Sequence, residues 1–380
     1  MTITPVNELQ QRGQTATLVA YPVGIYALSR LLQLFFVWWM APDGRIRDRL
    51  LAWDGGHFVR VAEEGYPTGY TYNGDGQLVG NGLAFFPGYP MTVRLVHLVT
   101  RLEYGTAAIT VSWLAGGAAA VLLCALATRL YDQRVGVALT ALFCTQPMSM
   151  ALSMGYSEAL FTALVVGMLL CAHREDWLLA GLLGLGAALT RPTGAAAAIA
   201  LAVAAGMAIY RIRAWAWKPL LAAVIALSGV PAYLLWVGLR VGDLGAWFDI
   251  QTAGWGTTFD FGDSSFTFVR DALQAGDGWI QVSVAWMLIT TVVLAVLALH
   301  GRVWAPLSVY GLIVLVLVLG QAGYYHSKPR LLVPALLILV PPAVALGRAR
   351  PRVAAVVLAL TGTFGLWYGS YLITVWHYAI

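Results

Sequence analysis

Charged side chains are scarce in this 380-residue chain, where Asp, Glu, Lys and Arg together make up 11%. A soluble domain carries about 25%. With 59% hydrophobic residues and a mean hydropathy of +0.74, no water-soluble fold of this size hides so much apolar surface. Lysine occurs only twice, as Lys218 and Lys328. Cysteine is also sparse, and Cys124, Cys144 and Cys171 all fall inside apolar runs. There they read as small core residues, not as disulfide partners or metal ligands. No phosphate-cradling glycine loop, HExxH or other metal-ligand spacing occurs. Residues 1–14 lack the basic, apolar, small-residue order of a cleaved signal peptide. The net charge of +5 does not point to nucleic acid, because the basic residues sit mostly in short connections between apolar runs.

Those runs dominate the chain. A helix needs about 20 apolar residues to cross about 30 Å of hydrocarbon. Runs of roughly that length fall at 17–41, 105–129, 135–152, 158–173, 177–190, 193–210, 219–239, 280–299, 303–320, 331–347 and 353–376. They are continuous, which argues against a membrane barrel. The expected fold is all-α: one polytopic transmembrane bundle over 1–380 with about eleven spanning helices. The first apolar run stays as a spanning helix.

Orientation follows from Lys and Arg in short connections. One set holds Arg129, Arg134, Arg174, Arg211, Arg213, Lys218, Arg302, Arg348, Arg350 and Arg352. The opposite set holds Arg191, Lys328 and Arg330, with Arg240 at its edge. The first set is expected to be cytoplasmic, in a multi-pass protein of the plasma membrane with a cytoplasmic N-terminus. Fourteen of the eighteen acidic residues then lie outside, leaving Glu8, Asp132, Glu175 and Asp176 inside. Both long connections, 42–104 and 241–279, are outside as well, and long loops in compact proteins usually carry function. In the first, Arg49–Glu64 and Phe85–Thr100 place apolar residues at helical spacing and read as amphipathic interfacial helices. Tyr66–Gly82 between them reads as turns.

Several groups on that outer face have chemistry. Asp54 stands in Trp53-Asp54-Gly55-Gly56-His57-Phe58, followed by Glu63-Glu64-Gly65-Tyr66. A carboxylate beside an aromatic suits a general base, and it equally suits a helix N-cap. Glu158, after Tyr156 and Ser157, opens an apolar run, where an acid favours a helix N-terminus or binds substrate. Arg191 in Thr190-Arg191-Pro192-Thr193-Gly194 either holds a phosphate or sugar or snorkels. His326, Lys328 and Arg330 form a basic cluster against the topology trend, of the kind that suits a lipid-linked phosphate. Trp247–Phe261, with Gln251 and Trp255, suits a sugar face or an interfacial belt.

Four ordered blocks resemble one family. Trp53-Asp54-x-x-His57-Phe58, Glu64-Gly65-Tyr66 and Ala84-Phe85-Phe86-Pro87-Gly88-Tyr89-Pro90 resemble the opening of GPI mannosyltransferase II, the PIG-V family. Gln146-Pro147 followed by Tyr156-Ser157-Glu158-Ala159-Leu160-Phe161 does so too, as do Thr190–Gly194 and Arg330-Leu331-Leu332-Val333-Pro334. The blocks span about residues 50–340, and the 241–279 connection matches the family's eukaryotic members poorly.

The resemblance implies a GT-C glycosyltransferase that inverts a polyprenyl-phosphate-mannose donor into an α-linkage on a lipid-linked glycan or similar acceptor. It implies Asp54 as base, no nucleotide sugar and no required cofactor, and the outer acids show no spacing that demands a divalent cation. On this reading Arg330, Lys328 and His326 meet the donor phosphate. His57 and Glu158 orient hydroxyls, and Trp53, Phe85 and Phe86 line the path. Glu64, Tyr156, Arg191, Gln251 and Trp255 complete the substrate side. Low Lys with high Ala, Arg and Gly points to a bacterial member. Two other classes compete: a transporter or flippase of a lipid-linked saccharide, for which Arg30 is the one candidate mid-span charge, and a non-catalytic assembly protein. No internal repeat of the transporter kind is evident.

Overall fold

The computed structural model describes residues 6–41, 43–212, 216–376 and 378, without the side chains of 6–18 and 212. Arg213 and the side chain of Glu8, both used above for orientation, lie outside what is described. Helices α1 (Val6–Met40), α2 (Ile46–Leu50), α3 (Asp54–Glu64) and α4 (Gly88–Thr100) precede the long α5 (Tyr104–Leu130). Then come α6 (Gln133–Thr145), α7 (Glu158–His173), α8 (Trp177–Ala188), α9 (Gly194–Ile212) and α10 (Trp217–Val241). The 241–279 connection folds as α11 (Ala246–Trp255) and α12 (Asp263–Ala275). After it follow α13 (Trp279–His300), α14 (Ala305–Leu319), α15 (Lys328–Leu331), α16 (Val340–Arg348) and α17 (Pro351–Thr374).

Every apolar run read from the sequence falls on helix, and the chain is a multi-pass membrane protein. Among the described residues, six helices are long and apolar enough to cross a bilayer: α5, α10, α13 and α17, with Val19–Met40 of α1 and Gly194–Arg211 of α9. The bent pair Tyr325–Leu331 and Leu336–Arg348 makes a seventh if counted as one span. Helices α7, α8 and α14 are apolar but shorter, so the expected eleven crossings are not each matched by a helix of crossing length.

Two of the expected spans are broken, each at a proline. The 135–152 run stops as α-helix at Thr145, just before Pro147, and continues as a 3-10 turn over Ser149–Leu152. The 331–347 run opens on the second break, where Tyr325–Leu331 and Leu336–Arg348 meet at 75° with Pro334 between them. Proline lacks the donor a helix needs and disfavours helical backbone in the residue before it.

The first connection corrects the interfacial reading in part. Arg49–Glu64 is split at Trp53, and α3 turns Phe58, Val61 and Ala62 into the protein against α4 and α5. Helix α4 buries Tyr89, Pro90 and Val93 while exposing Leu95, Leu98 and Val99, as an interfacial helix does. Between them, Thr71–Tyr72 (β1) and Leu78–Val79 (β2) pair antiparallel.

The two long connections are bound to each other. Arg240 donates to the carbonyls of Tyr66 and Pro67, and the Tyr70 hydroxyl lies 2.8 Å from Asp243 and 3.0 Å from Asp249. A side chain on Gly80 would come 2.6 Å from the Cα of Gly254. Only glycine on both strands permits the hairpin and α11 to cross so closely.

Candidate functional site

Asp54 owes its position to a strained turn. Trp53 has φ of 54° and ψ of −117°, and the Gly55 N–H donates back to the Ala52 carbonyl at 3.2 Å. This is a type II′ turn with tryptophan where glycine is usual, a backbone state that costs about 1–3 kcal/mol for a residue with a side chain. The turn is clamped to the segment before α7. The Tyr156 hydroxyl donates to the Ala52 carbonyl at 3.1 Å, and the Gly155 N–H donates to the Leu50 carbonyl at 2.8 Å. The starts of α3 and α7 are thereby held side by side, with Asp54 first in one and Glu158 first in the other. The N-cap position of α3 belongs to Trp53, with no side-chain cap bond, and Asp54 is the first residue inside the helix. Of its two sequence readings, the capping one is therefore set aside.

A chain of four opposite charges crosses this junction. Arg330 Nη1 lies 2.8 Å from Asp54 Oδ2, and its Nε lies 3.6 Å from Glu158 Oε1. Arg191 Nη1 lies 2.8 Å from the same Glu158 oxygen and donates to the Ser157 hydroxyl at 2.9 Å. The Arg330 guanidinium rests 4.9 Å from the centre of the Tyr156 ring. The Glu158 side chain is 1% exposed and that of Arg330 9%, so neither charge is a surface ornament. Buried charges need partners, and Glu158 has two. Its second oxygen, Oε2, has none.

These groups face a cavity of about 200 Å³. Asp54, Phe85, Phe86, Tyr156, Glu158, Arg191, Gln251, Trp255, Lys328 and Arg330 all line it. Its roof is α11, where Trp247 Nε1 and Gln251 Nε2 both donate to the Ala84 carbonyl, at 3.3 and 3.1 Å. The Trp255 ring stands edge-on to Phe85 at 5.3 Å. An aromatic wall facing a charged floor suits a sugar, whose apolar faces stack while its hydroxyls hydrogen-bond.

Four residues named from the sequence do not line the cavity. Trp53 packs into the core behind the turn. His57 stacks on Phe85 at 5.3 Å and meets the Trp255 ring edge-on at 5.8 Å, behind two lining residues without lining the cavity itself. Its burial holds its pKa below the usual value, with nearby Asp54 opposing and Arg60 adding to the shift. Glu64 is exposed at the far end of α3, about 15 Å along the helix from Asp54. His326 is buried against Tyr324 and Tyr325, with its Nδ1 unpartnered. Lys328 does line the cavity, but its ammonium donates to the carbonyls of Val318 and Gln321 at the end of α14. The basic cluster of 326–330 thus resolves into one cavity cation, Arg330, and one helix-end anchor. Ser157, Thr190, Thr193, Thr257 and Tyr324 also line the cavity. Small hydroxyl residues carry no pattern that singles them out in a sequence. Among the described residues, no group of three or more His, Cys, Asp or Glu is placed to hold a metal ion.

The fold is similar to that of known structures. The chain is similar to a crystal structure of ArnT from Cupriavidus metallidurans bound to undecaprenyl phosphate, with 16% identity and a TM-score of 0.51. That match covers 92% of this chain, which spans 63% of the other's length. A structure of the same ArnT in the apo state aligns with 13% identity and a TM-score of 0.51, covering 97% of this chain and 77% of that one. At such identities the likeness is one of fold, and the fold is that of the GT-C membrane glycosyltransferases. No curated protein matches the sequence. The family described as Mannosyltransferase (PIG-V) matches residues 30–197, which bears out the resemblance for the blocks up to Thr190–Gly194, leaves Arg330–Pro334 outside the match, and supports glycosyltransferase activity.

Proposed function

We propose that this chain is an inverting mannosyltransferase that moves mannose from a polyprenyl-phosphate donor to a hydroxyl of a lipid-linked glycan, forming an α-linkage. The observation that carries the reading is the Asp54–Arg330–Glu158–Arg191 chain lining one aromatic-roofed cavity. Inversion in one displacement needs a base on one side of the anomeric carbon and a stabilised leaving group on the other. Asp54 accepts the proton of the acceptor hydroxyl as its oxygen bonds to the anomeric carbon. The bond from that carbon to the phosphate oxygen breaks, and Arg330 and Arg191 meet the charge on the departing polyprenyl phosphate.

A donor phosphate competes for Arg330, and the sugar then separates the guanidinium from the carboxylate. Glu158, with one free oxygen, holds a sugar hydroxyl. Undecaprenyl phosphate, bound in one ArnT structure, is the kind of carrier lipid that the donor proposed here would release. We place the cavity on the extracytoplasmic side of the plasma membrane and the N-terminus in the cytoplasm, which the distribution of Lys and Arg supports. No cofactor is required in this scheme.

The transporter reading loses its best residue. Arg30 is fully buried, and its guanidinium donates to Gln33, Ser149, Ser153 and the Cys144 carbonyl. It is a structural knot between α1 and the 149–152 turn, with no donor left for cargo.

The test is mannosyl transfer by purified protein with polyprenyl-phosphate-mannose and a panel of lipid-linked acceptors. Wild type should transfer, and Asp54→Asn should lose about 10²–10⁴-fold of the rate, the usual contribution of a general base. Near-native transfer by Asp54→Asn overturns the base assignment. Arg330→Ala should raise KM for donor more than for acceptor, and equal losses count against its phosphate role.

A further inference from the structure

We propose that residues 258–266 form an aromatic rim that dips into the lipid of the leaflet beside the cavity, and that lipid-borne substrate passes over it into the site. The portal half of this inference rests on the glycosyltransferase reading above. The insertion half does not.

Four contacts fix the segment to the end of α14. The Asp260 N–H donates to the Gly320 carbonyl at 3.0 Å, and the Ala322 N–H donates to the Thr258 carbonyl at 2.8 Å. The Ser265 hydroxyl donates to the Leu319 carbonyl at 2.6 Å. The Phe259 ring lies directly over Gly320, where a Cβ would come 2.7 Å from it. The depth of the rim is therefore the depth at which α14 ends. That helix has 15 residues, all but Ser308 apolar or glycine, and it rises only about 22 Å. The hydrocarbon layer is about 30 Å thick. With Trp304, the residue before the helix, marking the other boundary, the Leu319 end falls short of the near headgroups by several ångströms. Whatever is nailed to it sits at the acyl boundary.

The rim is built for that depth. Phe259 is 48% exposed, Phe261 90% and Phe266 68%. Phe261 holds a φ of 58°, a strained backbone for an aromatic residue, so its outward position is not a relaxed default. The polar atoms of the turn close on themselves. The Asp260 carboxylate accepts from the N–H groups of Gly262 and Ser264 and from the Ser264 hydroxyl. Backbone in lipid must have its hydrogen bonds satisfied internally, and aromatic rings are what proteins place at the headgroup level. The exposed Asp263 marks the water side. On the other flank, Thr257, Gln321, Ala322 and Tyr324 line the cavity. One short segment thus separates lipid from the site.

Depth is measured first. A nitroxide at Phe261→Cys, in a protein whose three native cysteines are replaced by alanine, is examined in nanodiscs by power saturation against oxygen and a nickel chelate. A second label at Asp75→Cys, on the exposed hairpin turn, serves as the aqueous reference. Oxygen should relax the 261 label more than nickel, with the reverse at 75. Equal nickel access at the two sites overturns insertion. Phe261→Ser is then assayed with a long-chain and a short, water-dispersed polyprenyl-phosphate-mannose. KM should rise several-fold for the long chain and stay unchanged for the short one. A membrane-inserted label with KM unmoved for both, or raised equally, overturns the portal. Inactivity of wild type with every donor overturns the glycosyltransferase reading and the portal with it, and leaves the depth result to decide insertion.

Discussion

Trp53 carries an unusual burden for one residue. It adopts a left-handed φ next to the carboxylate that the mechanism uses, and strain of this kind persists only where surrounding contacts over-determine it. The usual order of alanine over glycine should invert here. Trp53→Gly is expected to be more stable than Trp53→Ala by about 1 kcal/mol, since both lose the indole and only glycine relieves the backbone. Thermal unfolding in detergent of the two variants checks this, and alanine above glycine would remove the strain argument.

His57, four residues on, gives a pH signature. Burial lowers its pKa in the fold, so the unfolded chain takes up a proton at a higher pH than the fold does. Stability is then complete above the unfolded value of about 6.5 and is lost as pH falls below it. Between pH 7.5 and 5.5 the wild-type Tm should fall further than that of His57→Phe. Arg30 belongs to the same scale. Each buried acceptor it leaves alone costs about 1–3 kcal/mol, so Arg30→Ala should lose several kcal/mol in the same assay.

At the scale of elements, breaks matter more than runs. The 75° bend near Pro334 turns α15 back toward the cavity, and this brings Arg330 onto Asp54 where a straight helix would carry it away. The broken end of α6 is gripped in another way, by α17. A Cβ at Gly365 would lie 2.0 Å from the Thr145 carbonyl, and backbone cannot yield as a side-chain tip does. Gly365→Ala should therefore cost about 1–3 kcal/mol, the usual price of overpacking. Gly24→Ala meets nothing within 4 Å and should be neutral or mildly stabilising, because alanine favours helix. Equal Tm values for the two variants would refute the contact.

At the scale of the whole molecule, legibility divides by the range of the physics. Apolar runs report a solvent preference that each segment carries alone, so α5, α7, α10 and α13 stood within a few residues of where they were read. Asp54, Glu158 and Arg191 were legible because a scarce charge in a membrane chain has few neutral explanations. Glu64 and His326 met the same test and do not line the cavity. Which face of α3 turns inward, and which way a ring points, depends on partners far along the chain. Lys328 shows this best. Its sign was right for a phosphate, but the carbonyls of Val318 and Gln321 already hold it, and only the fold brings them within reach. Of the helices within 241–279, α11 shows only a weak helical period, whereas α12 spaces Phe266, Val269 and Leu273 as a helix does and was not read as one.

The paired charges at the junction also bear on what the protein ignores. Asp54, Glu158, Arg191 and Arg330 sum to zero, and Lys328, the further cation lining the cavity, is already held by the carbonyls of Val318 and Gln321, so a passing anion must displace an existing partner to reach a cation there. An anion must arrive with enough additional contact, from a sugar ring and a hydrocarbon tail, to break a bond the protein has already made with itself. Orthophosphate and free sugar phosphates in the surrounding fluid have neither in full. The pairing thus acts as a filter against the soluble background, and millimolar salt phosphate should leave turnover nearly untouched.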